Sequence, residues 1–222
     1  MRCQLYVFDN QQVAVEGITS YLSKKTGVKI AGQATNLKDS LAIISRTRSS
    51  EEPIIAITEL SFKKSGGGDN IEGTSLLRAM RLSGKNILPI VFTIMDAACY
   101  AHIAMHEEFG ARGFVSKNAP LSTLSNAIEI VSAGGLFIQN ELKEGITEFN
   151  AFLSTLTKTE KKVLQCLQSG ASNKDAAQTL GLSQRTIENH LSNIYTKAAV
   201  ADKNQLFNLL GISAQGEDIR II

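Results

Sequence analysis

Hydrophobic positions in residues 1–133 alternate between short solid runs and spaced, one-faced patterns. Leu5–Phe8, Val28–Ala34, Ile54–Thr58, Ile87–Thr93 and Gly113–Ser116 are runs of strand length, most of them rich in β-branched and aromatic residues. Between them lie helical patterns: Val13, Val15, Ile18 and Leu22; Leu37, Leu41 and Ile44; Leu76, Leu77 and Met80; then stretches from about Ala97 to Phe109 and from Leu121 to Ala133. Five strands alternating with five helices predict an α/β doubly wound, flavodoxin-like domain with a parallel sheet. Right-handed crossovers then largely set the layout. In such sheets the functional crevice lies beyond the carboxyl ends of the strands. That rule selects Asp9, Asn10, Glu59, Thr93 and Lys117.

A different rhythm begins at Leu156. Thr157 and Glu160 form a capping-box pattern, followed by Val163, Leu164 and Leu167 on one helical face and by Gly170 as a stop. Asn173–Leu180 is a short Ala-containing unit that ends at Gly181. Ser183 is the next N-cap, and Gln184–Lys197 places Ile187, Leu191 and Ile194 on one face. A fourth unit runs from Lys203 to about Leu210. Two helices joined by a Gly-containing turn make a helix-turn-helix, whose second helix can enter the DNA major groove. The chain is therefore expected to comprise an α/β domain at 1–133, a linker at 134–154, an all-α four-helix domain at 155–212 and a tail at 213–222.

Composition changes this picture little. The 222 residues are 43% hydrophobic with a net charge of +2, which alone implies no partner. No apolar run reaches the roughly 20 residues a membrane span needs, and the start lacks a signal-peptide pattern. Three scattered cysteines fit a reducing cytoplasm better than a bridged, secreted protein.

The segment Leu156–Phe207 resembles the DNA-binding domain of NarL/LuxR-family bacterial regulators. The family's Leu-Thr-x-x-Glu opening matches Leu156, Thr157 and Glu160; its Val-Leu pair matches Val163 and Leu164; its Gly-x-Ser-Asn-Lys matches Gly170 and Ser172–Lys174. Its Ser-x-x-Thr-Val-x-x-His matches Ser183, Thr186, Ile187 and His190, with Ile194 and Lys197 beyond. Ala176 departs from a usual Ile, and Ala198–Ala199 from a usual Leu-Gly. The resemblance implies double-stranded DNA as partner and a homodimer, with Lys203–Leu210 where members dimerise. Ser183, Gln184, Arg185, Glu188, Asn189, Ser192 and Asn193 would face the groove. Glu188, Asn189 and Ser192 are the expected base readers, since Glu accepts from the cytosine amino group and Asn pairs with adenine. Thr157, Lys158, Lys174, Arg185, Thr186 and Lys197 are expected on phosphates.

Residues 1 to about 125 resemble the receiver domain of two-component response regulators. The acidic pair after the first strand matches Asp9–Asn10, the acceptor Asp matches Glu59, the Thr/Ser position matches Thr93, and the Lys matches Lys117. The aromatic switch position matches Phe114, within the Gly110–Phe114 run. Two departures matter. Asn10 is neutral, so Asp9 and Glu59 supply at most two carboxylates for Mg²⁺, a hard cation that prefers oxygen ligands. The site implies weak Mg²⁺ binding at best, and no required cofactor. Glu59 also replaces the acceptor with a longer side chain that is negative at neutral pH. Three readings stand: Glu59 as a built-in partial mimic of the phosphorylated state, a degenerate site that only keeps the fold, or residual phosphorylation on Glu59 or Asp9. Whether a sensor kinase is a partner stays open.

The remaining features carry less. Gly66–Gly68 beside Lys63 and Lys64 lacks the Gly-Lys-[Ser/Thr] spacing of a phosphate loop. Cys99, His102 and His106 share one helical stretch, without a second ligand cluster. Phosphohydrolase chemistry would want an Asp-x-Asp at the first strand end, and the sequence there is Asp9-Asn10-Gln11. The chain is thus expected not to be an enzyme. The competing non-enzymatic reading is an interaction adaptor that keeps the fold but neither switches nor reads DNA.

Overall fold

The computed structural model describes residues 2–25, 27–63, 69–70, 73–168 and 170–211. The tail with Ile219, Ile221 and Ile222, and the Gly66–Gly68 run, fall outside them. The chain divides into two compact units. One holds the residues up to Asp96 together with Ile103–Lys143; the other holds Ala97–His102 together with the residues from Glu144 onward.

The first unit is built on β1 (Cys3–Phe8), α1 (Gln12–Ser23), β2 (Val28–Ala34), α2 (Leu37–Arg46) and β3 (Ile54–Thr58). A short antiparallel pair follows, β4 (Phe62–Lys63) with β5 (Asp69–Asn70). Then come α3 (Gly73–Leu82), β6 (Ile87–Thr93), α4 (Ala98–Met105, of which Ala98–His102 belong to the other unit), β7 (Gly113–Ser116), α5 (Leu121–Ser132) and β8 (Phe137–Ile138). The main sheet has the order β2-β1-β3-β6-β7-β8, with all neighbours parallel.

Strand alternation sends successive side chains to opposite faces. Leu5 and Val7 of β1 pack with Val15, Ile18 and Leu22 of α1 and Leu124, Ile128 and Val131 of α5. Tyr6 and Phe8 face the other way, with Ile44 of α2 and Leu76 and Met80 of α3. β1 is therefore apolar on both faces, as an inner strand of a parallel sheet covered by helices requires.

The expectation of five strands is corrected to six. The extra strand lies inside the stretch expected to be linker. Two residues carry no period, so the sequence there holds no strand signal. Phe137 N–H donates to Arg112 C=O at 2.9 Å and Gln139 N–H to Phe114 C=O at 3.2 Å, and these bonds make the strand. The helix expected to reach Phe109 ends at Met105, and Gly110 closes the following turns at φ +68°.

The second unit contains α6 (Asn140–Thr155), from Glu144 on, then α7 (Lys158–Gln168), α8 (Asn173–Leu180), α9 (Gln184–Ala198) and α10 (Lys203–Leu209). Ile187, Leu191 and Ile194 of α9 are buried, with Val163, Leu164 and Leu167 of α7 and Ala176 and Ala177 of α8. No described helix is long and apolar enough to cross a membrane.

Candidate functional site

Asp9, Glu59, Thr93 and Lys117 stand at the carboxyl ends of the neighbouring strands β1, β3, β6 and β7, where backbone bonds hold the strand ends together. Glu59 N–H donates to Phe8 C=O at 2.9 Å, and Lys117 N–H to Thr93 C=O at 2.8 Å. Asp9 and Glu59 are each only 2% exposed. Lys117, with 12% of its side chain exposed, bridges them: its Nζ lies 2.7 Å from Asp9 Oδ2 and 2.6 Å from Glu59 Oε2.

The remaining oxygens are also engaged. Glu59 Oε1 accepts from the Leu60 N–H at 2.6 Å and the Ser61 N–H at 3.3 Å, and Asp9 Oδ1 accepts from the Gln11 N–H at 3.0 Å. Asn10 Nδ2 donates to Ser61 C=O at 2.7 Å, tying the first strand end to the loop after β3. Thr93 Oγ1 accepts from the Met95 N–H at 3.0 Å. Phe114 is fully buried on β7.

The electrostatics follow from burial and pairing. Burial raises the Asp9 carboxyl above its usual range, against the pull of Lys117. For Lys117 burial acts downward, but Glu59 and Asp9 outweigh it and hold the ammonium above its ordinary value. The donor set does not fit Mg²⁺. Among the described residues only two carboxylates stand here, every one of their oxygens already accepts a donor, and an ammonium lies between them where a dication would be repelled.

Gly73 explains the tightness beside Glu59. Its N–H donates to Leu60 C=O at 2.9 Å. A Cβ there would meet Glu59 O at 2.4 Å and Leu60 Cα at 2.6 Å. The start of α3 therefore presses on the backbone that carries the carboxylate.

Sequence reasoning did not single out Ser116, Asp96 or Gln139. Ser116 Oγ donates to Asp96 Oδ2 at 2.6 Å, and its N–H donates to Gln139 Oε1 at 2.9 Å. Asn118 Nδ2 reaches the same Asp96 oxygen at 3.2 Å. The one signal that could have found them is a lone Ser ending the apolar run Gly113–Ser116.

In the second unit the local signals are realised as hydrogen bonds. Thr157 N–H donates to Glu160 Oε2 at 2.7 Å and Glu160 N–H to Thr157 Oγ1 at 3.3 Å. Ser172 and Asp175 make a second capping box, and Gly181 ends α8 in the left-handed region at φ 66°. Ser183 Oγ accepts from the Thr186 N–H at 3.1 Å and starts α9.

Opposite buried Ile187, Leu191 and Ile194, the exposed face of α9 carries Arg185, Glu188, Asn189, Ser192, Asn193 and Thr196. Ser183, Gln184, Thr157, Lys158 and Lys174 are exposed too, and Thr186 is half-buried. Lys197 differs from the rest: its Nζ donates to Glu160 Oε2 at 2.6 Å and to Thr155 C=O at 2.9 Å.

Comparison with known proteins bears on this geometry. Residues 154–210 match the family described as "Bacterial regulatory proteins, luxR family". A putative transcriptional regulator from Pseudomonas aeruginosa is 30% identical over 181 residues, covering 79% of this chain and 82% of its own length. This chain belongs to the LuxR-type transcriptional regulators.

The transcriptional regulatory protein LnrK of Bacillus subtilis is 29% identical over 217 residues, covering 91% of this chain and 93% of its own. Among solved structures, one described as two RcsB dimers bound to two parallel DNAs has a TM-score of 0.71 at 18% identity, covering 96% of this chain and all of that one. That likeness extends the shared response-regulator fold through both units. Among the described residues no group of three His, Cys, Asp or Glu side chains could hold an ion, and burial pushes the Cys99 thiol up to about 12, away from the thiolate a metal needs.

Proposed function

We propose that this regulator binds double-stranded DNA as a homodimer in the cytoplasm, and that its DNA binding does not depend on aspartyl phosphorylation. The observation that carries the second part is the Lys117–Glu59 ion pair, 2.6 Å long and buried. Glu59 supplies a fixed negative charge at the acceptor position, and Lys117 is already drawn onto it. Such a pair stands in part for the contact an acyl phosphate would make with that lysine. A site so arranged needs neither Mg²⁺ nor a sensor kinase to reach its working state.

The exposed face of α9 supports the first part. Glu188, Asn189 and Ser192 read base edges, where Glu188 takes the cytosine amino group and Asn189 the adenine edge. Ser183, Gln184 and Asn193 flank them. Thr157, Lys158, Lys174, Arg185 and Thr186 hold phosphates, which set register rather than sequence. The homodimer is supported by the RcsB dimers described on DNA.

The test is the oligomeric state and DNA affinity of the purified chain, with and without Mg²⁺ plus acetyl phosphate or beryllofluoride, beside Glu59→Asp. A dimer that binds DNA and ignores the donor is expected of the native chain. A monomer that dimerises only with the donor would show that the pocket still switches. Failure to retard any DNA, with tight capture of a partner protein, would favour the adaptor reading instead.

A further inference from the structure

We infer that Lys197 is a positioning residue for the recognition helix rather than a phosphate contact, and that Glu160 is its partner in that role. The inference rests on the DNA-binding reading and assigns the family-pattern Lys a task its sequence position does not suggest.

Three helix ends meet at one point. Thr155 closes α6, Thr157 and Glu160 open α7, and Lys197 lies in the last turn of α9. A single carboxylate oxygen, Glu160 Oε2, accepts both the Thr157 N–H at 2.7 Å and the Lys197 ammonium at 2.6 Å. The same ammonium donates to the Thr155 carbonyl at 2.9 Å, one of the α6 carbonyls without a partner inside the helix. Glu160 is 3% exposed, whereas the Lys197 side chain retains 29%. The lysine stem therefore reaches inward, and its charge is directed at the protein. Burial raises the Glu160 carboxyl, but Lys197 and Thr157 together bring it below its usual range, as a lasting partner would.

Geometry gives the pair its leverage. Glu188 stands nine residues before Lys197, about 13 Å along the axis at 1.5 Å per residue. If the pinned end let α9 tilt by about 10°, Glu188 and Asn189 would move by about 2 Å, more than a base-edge hydrogen bond tolerates. The apolar seam of Ile187, Leu191 and Ile194 is non-directional and permits such a tilt more readily than an ion pair does.

The experiment uses the full chain and an operator selected from random duplexes by the wild type. Binding is measured from about 50 to 200 mM salt, with melting curves, for Lys197→Met, Glu160→Met and the double Met variant, which buries no lone charge. We expect both single variants to weaken operator binding about tenfold, roughly the cost of one wrong base pair. Their log-affinity against log-salt lines should stay parallel to the wild type, and binding to unselected DNA should be unchanged. The double variant should fold and show the same loss.

If Lys197→Met flattens the salt slope by about 0.9 while Glu160→Met does not weaken binding, Lys197 is a phosphate contact and the inference fails. If the variants melt lower yet bind the operator with wild-type affinity at temperatures where they are folded, the pair serves stability alone and the inference fails too. A wild type that selects no operator would overturn the DNA-binding reading itself, a distinct result.

Discussion

The Lys117 ammonium lies 2.6 Å from Glu59 and 2.7 Å from Asp9, so one cation is shared between two buried carboxylates. Removing it should be costly. Lys117→Met leaves two buried like charges facing each other and is expected to destabilise the α/β unit by about 3 kcal/mol, read by urea unfolding. The sign with pH follows from the raised pKa of Lys117. Its contribution is complete at neutral pH and is lost as pH rises through the folded value, above the ordinary lysine range. The wild type should therefore lose stability on the alkaline side, and Lys117→Met should lack that limb. An unchanged alkaline limb in the variant would contradict the assignment.

Gly73 is the second sensitive point of the pocket. Its missing Cβ leaves room for Glu59 O and Leu60 Cα, both backbone atoms that cannot swing aside. Gly73→Ala should lower stability by about 2–3 kcal/mol through overpacking, despite the better helix propensity of Ala. Calorimetric melting of the variant checks it, and a melting temperature at or above the wild type's would count against so close an approach of α3 to the Glu59 backbone.

Ala199 ends α9 at φ 52°, the one described non-glycine residue with positive φ. That conformation is strained for an L-residue and free of strain for glycine. Ala199→Gly is expected to stabilise the helical unit by about 0.5 kcal/mol, since the larger chain entropy of unfolded Gly offsets part of the gain. A rise in melting temperature with unchanged DNA affinity is the expected result; a fall would mean that the methyl group packs usefully.

Glu160 gives the helical unit an acid-side dependence. Its carboxyl is held below the usual range, burial being outweighed by Lys197 and Thr157. The stability it contributes is complete above the ordinary Glu range and is lost as pH falls through and below it. Far-UV melting of the wild type at pH 7 and pH 3 should show a drop that is smaller in Glu160→Gln. Equal drops would remove Glu160 from the account.

The elements and their facing were written locally in this chain. The opposite facing of Leu5–Val7 and Tyr6–Phe8, the stripe of Ile187, Leu191 and Ile194, and the capping pairs Thr157–Glu160 and Ser172–Asp175 each follow from residues a few positions apart. Backbone periodicity and cap chemistry act over that range, so the strand ends that carry Asp9, Glu59, Thr93 and Lys117 were legible from the sequence. What those side chains hold was not. Lys117 meets Glu59 and Asp9, Lys197 meets Glu160, and Ser116 meets Asp96 and Gln139 across 20 or more positions in sequence. Phe137–Ile138 became a strand only because β7 offered it an open edge. Periodicity can say where a charged side chain starts. Which partner it reaches depends on how the sheet order and helix ends bring distant groups within hydrogen-bond range, and that is a property of the folded chain alone.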